Sequence, residues 1–322
     1  MTVPTITREV LEGYLHCRYL AHLRLTGLEA PRTDYEEMVF QANLEQKLTA
    51  FSKLHSRDAE NGIVTSVNLT RAELRKGASF ILDAELQHDA FHVRFDCLKK
   101  VDGHSDLGRY HYIPVPFSGS HNVHKFDRLL LETLGALLGR VQRRAPARGV
   151  IYCGQLGTAE SVRLRAGLRL GEDAIRDLAR MQRDSAPPKL LLNDHCSVCE
   201  FQKQCRAQAI KDDNLTLLRG VREQELKRYT RRGLFTLTQL AHTFRPRRPG
   251  KRDAPSRVRH HGLQALAIRD KTVYVFGAPE MASGTTEIYV DMKRKPDEQF
   301  VYLVGVDKSL TMVACFAHKF IR

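Results

Sequence analysis

The sequence predicts a mixed α/β protein: a central mixed sheet flanked by helices, then a small helical hairpin and a second, partial sheet. Three observations carry that reading. Apolar residues recur at helical spacing near the N-terminus, switch to strand-like alternation from Val64, and return to helical spacing at residues 128–138. Three of the seven cysteines crowd into ten residues, Cys196-Ser197-Val198-Cys199-Glu200-Phe201-Gln202-Lys203-Gln204-Cys205. The formal charge is +14, and residues 219–259 hold thirteen Lys and Arg against three Asp and Glu, a net of +10 in one eighth of the chain.

At 322 residues and 42% apolar content, the chain has the length for two or three domains and the material for an ordinary core. The cysteines are odd in number and clustered, unlike a disulfide framework. Near Met1 there is no apolar leader, and no run of eighteen apolar residues occurs anywhere. These features predict a reduced, cytoplasmic protein that spans no membrane. A pI near 9.6 predicts a polyanionic partner.

The first helix is expected to begin near Thr7, with Glu9 in its first turn, to cover residues 11–23 with Cys17 inside it, and to stop at Gly27. A second follows at residues 34–54, with Val39, Leu44, Leu48 and Phe51 near one face and Glu36, Glu37 and Glu45 on its surface. Strands are expected at residues 64–67, 79–86 and 91–98, the last two joined by a hairpin at His88-Asp89-Ala90. A polar loop spans residues 102–108. Residues 110–117 form a further strand that Pro114 and Pro116 make irregular. A helix at 128–138, a buried strand at 149–153 and a helix at 170–181 lead to the cysteines.

The spacing C-x2-C-x5-C lets two thiolates reach one metal or cluster from a tight turn, with the third arriving from the next helical turn. A fourth ligand is wanted. Cys17 is the leading candidate and would pin together the ends of a domain of roughly 210 residues. The alternative is a three-cysteine zinc site completed by His195 or His16.

A leading helix with one Cys, a meander ending in the strand residue Asp96, and the terminal cysteine motif together resemble the RecB-like nucleases. More narrowly they resemble the branch whose PD-(D/E)xK domain carries an AddB-type 4Fe–4S cluster. The resemblance covers residues 5–210 and implies that Cys17, Cys196, Cys199 and Cys205 ligate the cluster. It also implies metal-dependent phosphodiester hydrolysis on DNA, with Mg²⁺ or Mn²⁺ held by Asp96 and by the helical Glu45. The family's (D/E)-x-K pair falls on Val115-Pro116-Phe117-Ser118, where proline ligates nothing and serine is no cation. Lys125 or His124 is the substitute within reach of that strand. The site is therefore expected to be impaired, and a non-catalytic nucleic-acid-binding protein or truncated remnant on the same scaffold is the alternative.

Residues 215–237 look like a helix–hairpin–helix unit with turns at Gly220 and Gly233. Glycine turns and helix N-termini bring backbone N–H groups to phosphates, without sequence preference. The nucleic-acid contacts are accordingly expected at Arg219, Gly220, Arg231, Arg232, Gly233, Arg247 and Arg248, with a plain helical spacer as the alternative. After a basic linker at 245–262, residues 264–268 and 271–276 read as a strand pair. Residues 287–293 and 300–306 then resemble the opening strands of a YprB-type RNase H-like domain. The resemblance implies a metal-binding D-x-E strand there; Asp291 matches, whereas Lys293 stands in place of the glutamate. The expected organisation is 1–212 nuclease-like, 213–244 hairpin, 245–262 linker and 263–322 partial RNase H-like sheet.

Overall fold

The computed structural model describes residues 4–58, 62–120, 122–153, 158–164, 168–184, 186–245, 260–274, 288–294, 301–308 and 311–316. They form two compact units, Met1–Lys189 with Val198–Glu200, and Leu190–Ser197 with Phe201–Arg322. The division passes through the cysteine loop, which is one covalent stretch.

The first unit opens with α1 (Arg8–His16) and α2 (Arg18–Leu25). Thr7 caps α1, its hydroxyl accepting from the Val10 amide. The single helix expected here is broken at Cys17, whose backbone is extended (φ −158°, ψ 123°), so this cysteine sits at a corner between two helices. Gly27 at φ +72° ends α2. Helix α3 (Asp34–Asp58) follows, then β1 (Ile63–Thr65) and α4 (Arg71–Arg75), a short helix the apolar pattern did not announce.

Strands β2 (Phe80–His88), β3 (Phe91–Ser105) and β4 (Gly108–Pro114) make an antiparallel meander, with β1 parallel to β2 at its edge. The hairpin turns at Asp89, which takes φ +51°. The polar stretch after Asp102 is mostly strand, because β3 runs on to Ser105. At Val115-Pro116 the chain changes partners. The Val115 amide still donates to the Cys97 carbonyl at 2.8 Å, while the Pro116 carbonyl accepts from the Tyr152 amide at 3.1 Å. Proline has no N–H to continue the ladder, so the strand breaks where the sequence made it irregular. Beyond it, β5 (Phe117–Ser118) runs parallel to β6 (Arg148–Cys153), which pairs with the unanticipated edge strand β7 (Thr158–Arg163).

Helices α5 (Lys125–Gln142) and α6 (Arg169–Asp184) complete the unit. One contiguous core joins Leu11, Leu86, Phe95, Tyr112, Leu134, Ile151 and Leu178. On α6 the buried Ala174, Ile175, Leu178 and Gln182 fall on one helical face. Buried Gln142 ties α5 to β4 through the Tyr112 amide (2.9 Å) and carbonyl (3.0 Å).

The second unit contains α7 (Gln202–Lys211), a 3₁₀ turn at Leu215–Leu217, α8 (Glu223–Arg231), α9 (Leu237–His242) and α10 (His261–Asp270). Its helical core comprises Leu215, Leu218, Tyr229, Leu237, Leu240, Ala241 and Ala265. The expected strand at 264–268 is therefore wrong: it lies in α10. The Leu- and Ala-rich run favours helix, and fully buried Ala265 packs into that core. Residues 271–274 are not strand either, and 275–276 lie outside the described residues. Strands β8 (Ile288–Arg294), β9 (Val301–Lys308) and β10 (Thr311–Phe316) form an antiparallel meander in the order β10-β9-β8.

Gly171 fixes how closely α6 approaches α5: a Cβ there would lie 2.6 Å from the Glu132 carbonyl oxygen and 2.9 Å from the Thr133 Cα. Those are backbone atoms and cannot rotate away. Gly171→Ala should lower stability by about 1–3 kcal/mol in urea denaturation. At Gly149 the obstruction is the Leu131 side chain, at 2.7 Å, and Gly149→Ala should cost less. An unchanged midpoint for Gly171→Ala would contradict this packing.

Candidate functional site

The β2–β3 ladder pairs Leu82 with Cys97 and Ala84 with Phe95, which sets Asp83 opposite Asp96. Two carboxylates facing each other across a ladder repel. Lys47 of α3 answers that repulsion: its Nζ lies 2.8 Å from Asp83 Oδ1 and 3.8 Å from Asp96 Oδ1. Arg8 of α1 approaches Asp96 Oδ2 at 3.4 Å and donates to the Arg94 carbonyl at 3.0 Å. The Phe117 amide, just past the Pro116 break, donates to Asp96 Oδ2 at 3.4 Å. Outward along the ladder, Arg94 Nη2 meets Glu85 at 2.7 Å and its Nε lies 3.9 Å from Asp83. The side chains of Lys47, Asp83 and Asp96 are 20%, 25% and 19% exposed, so this is a largely sheltered cluster. Asp83 holds φ +55°, a left-handed conformation uncommon within a strand and found preferentially where function constrains the backbone.

Helix α3 is aimed by its own polar contacts. Asn43 Oδ1 accepts from the Gly119 amide at 2.6 Å, and Gln46 Nε2 donates to the Tyr152 carbonyl at 2.9 Å. Lys47 continues this inward face. Glu45 is two positions away, about 200° around the helix, and lies exposed. It is therefore not the partner of Asp96, which meets Lys47 instead. Lys125 does not approach Asp96 either: it is exposed at the first position of α5, with no ion pair among the described residues. His124 belongs to that helix start, its amide donating to Asp127 at 2.8 Å and its Nε2 sharing a 2.7 Å hydrogen bond with Ser120.

Sequence reasoning missed Asp83 and Lys47. The signal for Asp83 was present, since folding the two strands about Asp89-Ala90 aligns it with Asp96. For Lys47 there was none, because its role depends on how α3 docks.

The cysteines occupy a loop and two helix ends. Cys196 lies in a 3₁₀ turn (Asp194–Ser197), Cys199 in the turn that follows, and buried Cys205 in α7. Among the described residues there is no disulfide. Thr33 Oγ1 donates to the Val198 carbonyl at 2.7 Å, and Arg24 of α2 meets Glu200 Oε1 at 2.8 and 3.1 Å while donating to the Glu9 carbonyl at 2.7 Å. Residues 198–200 are thus tied to α1, to α2 (the helix that begins at Cys17) and to the start of α3. Glu36 and Cys199, both in the first unit, offer a carboxylate oxygen and a sulfur within 4.8 Å of one another. This pair mixes oxygen and sulfur donors; borderline-soft zinc accepts both, whereas iron–sulfur clusters favour thiolates. Cys97 and Cys153 are buried strand residues, and burial pushes the Cys153 thiol up to about 11.

Gly220 (φ +72°) and Gly233 (φ +74°) do form turns, and Arg219, Arg231 and Arg232 are exposed beside them. The N-terminus of α9, however, is closed to phosphate. The Thr238 amide donates to both Asp213 carboxylate oxygens, at 3.2 and 3.0 Å, and the Leu237 amide to the Asp213 carbonyl at 2.8 Å. Arg247 and Arg248 lie outside the described residues. Asp291 sits in β8 opposite Gly305, and Lys293 opposite Leu303.

Burial, then the neighbouring Glu200 carboxyl, pushes Glu36 up to about 6. Burial also opposes ionisation of Glu200, but its hydrogen bond to Glu36 and the Arg24 guanidinium outweigh this and hold it below the ordinary range. Glu36 binds its proton more tightly folded than unfolded. Its stabilisation is therefore complete below about pH 4.5 and is lost as pH rises through about 6. Denaturation across that window should show stability falling in the wild type and a flatter profile in Glu36→Gln; parallel profiles would contradict the tighter hold of Glu36 on its proton. No protein-family model matches the sequence, and no curated protein matches it.

Proposed function

We propose that the protein is a RecB-like, metal-dependent nuclease acting on DNA, with Asp83 and Asp96 as its carboxylates and Lys47 as its lysine. The single observation that carries this reading is Lys47 reaching both acids, at 2.8 and 3.8 Å. The expected (D/E)-x-K lysine is absent from the strand sequence, yet a lysine stands at the carboxylates, delivered by a helix.

The residues fit a hard divalent cation. Both acids offer oxygen ligands, and an ammonium group already sits where a cation is wanted. Asp83 and Asp96 would hold Mg²⁺ or Mn²⁺, which when bound supplies Lewis acidity and a more acidic water. The chain's own groups do the rest. The Phe117 amide and Arg8 fix the orientation of Asp96 Oδ2. Lys47 carries the positive charge that a phosphoryl oxygen requires, on a stem long enough to turn from carboxylate to substrate. The meander leading into β5 and β6, flanked by α3 and α5, supports the PD-(D/E)xK reading.

The same reading gives Cys17, Cys196, Cys199 and Cys205 to a 4Fe–4S cluster, with zinc as the alternative that the Glu36 and Cys199 donors favour. Either group would hold the cysteine loop in its fold, a structural task. The meander β8–β10 is compatible with the opening of an RNase H-like sheet, for which Lys293 argues against metal catalysis.

One observation favours the non-catalytic alternative: two cations, Arg8 and Lys47, already neutralise Asp96. Cleavage of labelled single- and double-stranded DNA with Mg²⁺ or Mn²⁺ separates the readings. Asp83→Asn, Asp96→Asn and Lys47→Ala should each lower the rate about 100-fold or more. Binding without cleavage by the wild type would establish the binding protein instead, and wild-type rates in the aspartate variants would move the site elsewhere.

A further inference from the structure

The turn between α8 and α9 is locked from both sides. Helix α8 closes with a Schellman motif: the Gly233 amide donates to the Thr230 carbonyl and the Leu234 amide to the Tyr229 carbonyl, both at 3.0 Å. Leu234 packs with Tyr229 in the helical core, as that motif requires. Helix α9 opens with Thr236, whose hydroxyl accepts from the Gln239 amide at 3.1 Å. Gln239 Oε1 accepts in return from the amides of Phe235, at 2.7 Å, and Thr236, at 3.2 Å. Leu234 therefore turns inward and Phe235 outward, on a backbone with little freedom left.

Phe235 is 57% exposed, although a core lies one residue away. Beside it in sequence, Arg231 and Arg232 are exposed, and neither forms an ion pair among the described residues. An uncovered aromatic ring on a rigid turn, next to uncompensated guanidinium groups, suits a partner that is anionic along its backbone and presents flat apolar faces. An unpaired nucleic-acid strand has that chemistry. In continuous duplex the base faces are already stacked, so a duplex would satisfy the arginines and leave the ring in water. The Asp213 carboxylate at the start of α9 keeps phosphates away from that helix end and leaves the Arg231, Arg232 and Phe235 side as the basic surface of this turn.

We propose that this turn is a clamp for unpaired nucleic acid, in which Arg231 and Arg232 hold backbone phosphates and Phe235 stacks on an exposed base. The proposal rests on the nucleic-acid reading above and adds to it a strand-state preference carried by the second unit.

Fluorescence anisotropy on the full chain tests it, using a 2-aminopurine-labelled single strand and a blunt duplex of the same sequence over a range of salt. Phe235→Ala should weaken single-strand binding roughly 5- to 100-fold, leave duplex binding and the salt slope unchanged, and lose the 2-aminopurine quenching. Phe235→Trp should restore both affinity and quenching. Replacing Arg231 and Arg232 together by alanine should flatten the log K against log salt slope by about 1–2. Single-strand affinity unchanged in Phe235→Ala, or equal loss on both probes, would overturn the clamp while leaving the nucleic-acid reading standing. A wild type that binds neither probe, or that binds anionic phospholipid vesicles in their place, would overturn both.

Discussion

Two like charges set opposite each other on adjacent strands are unfavourable unless a cation joins them, and the first unit is arranged around supplying one. Lys47 reaches both Asp83 and Asp96 only because α3 is docked by Asn43 and Gln46 onto the segments at Gly119 and Tyr152. Those segments stand where they do because Pro116 ends one ladder and starts another. The same break frees the Phe117 amide to meet Asp96, and Arg8 completes the cluster from α1. Five elements therefore converge on one pair of acids. Removing the lysine alone would leave two mostly buried carboxylates facing each other, with Arg8 and Arg94 as the cations nearby among the described residues.

Helix α1 has a second attachment. At its start Arg8 touches Asp96; its Glu9 carbonyl accepts from Arg24, which also holds Glu200 beside Cys199. Glu36 and Thr33, at the start of α3, bind the same stretch through the Glu200 amide and the Val198 carbonyl. Both helices that deliver cations to Asp96 are thus anchored at the cysteine loop. Loosening residues 198–200 would loosen the two helices on which the carboxylate pair depends.

Much of this was legible in the sequence, and the failures are instructive. Elements defined by their own periodicity or caps were legible: α3, the β2–β3 hairpin, α5, β6, α6 and the Gly233 turn. Elements decided by tertiary context were not. Cys17 breaks what reads as one continuous amphipathic helix, and residues 264–268 become helix because Ala265 fits a core assembled from distant leucines. In the site, Asp96 was visible as a strand acid and Asp83 could be aligned with it, but the lysine was sought beside the strand. Glu45 and Lys47 lie on different faces of one helix, and only the docking of α3 decides which of them meets the acids. The helix N-terminus at Leu237 looked open to phosphate until the fold brought Asp213 to it.

Asp83 and Asp96 are proposed to form one cation site in which Lys47 is the resident charge. Titrating Mn²⁺ against the wild type, Asp83→Asn, Asp96→Asn and Lys47→Met, with bound metal read by electron paramagnetic resonance, tests it directly. The wild type should show a Mn²⁺ site that either aspartate substitution abolishes and that Lys47→Met tightens, because the competing ammonium is gone. Mn²⁺ binding indifferent to all three substitutions would contradict it.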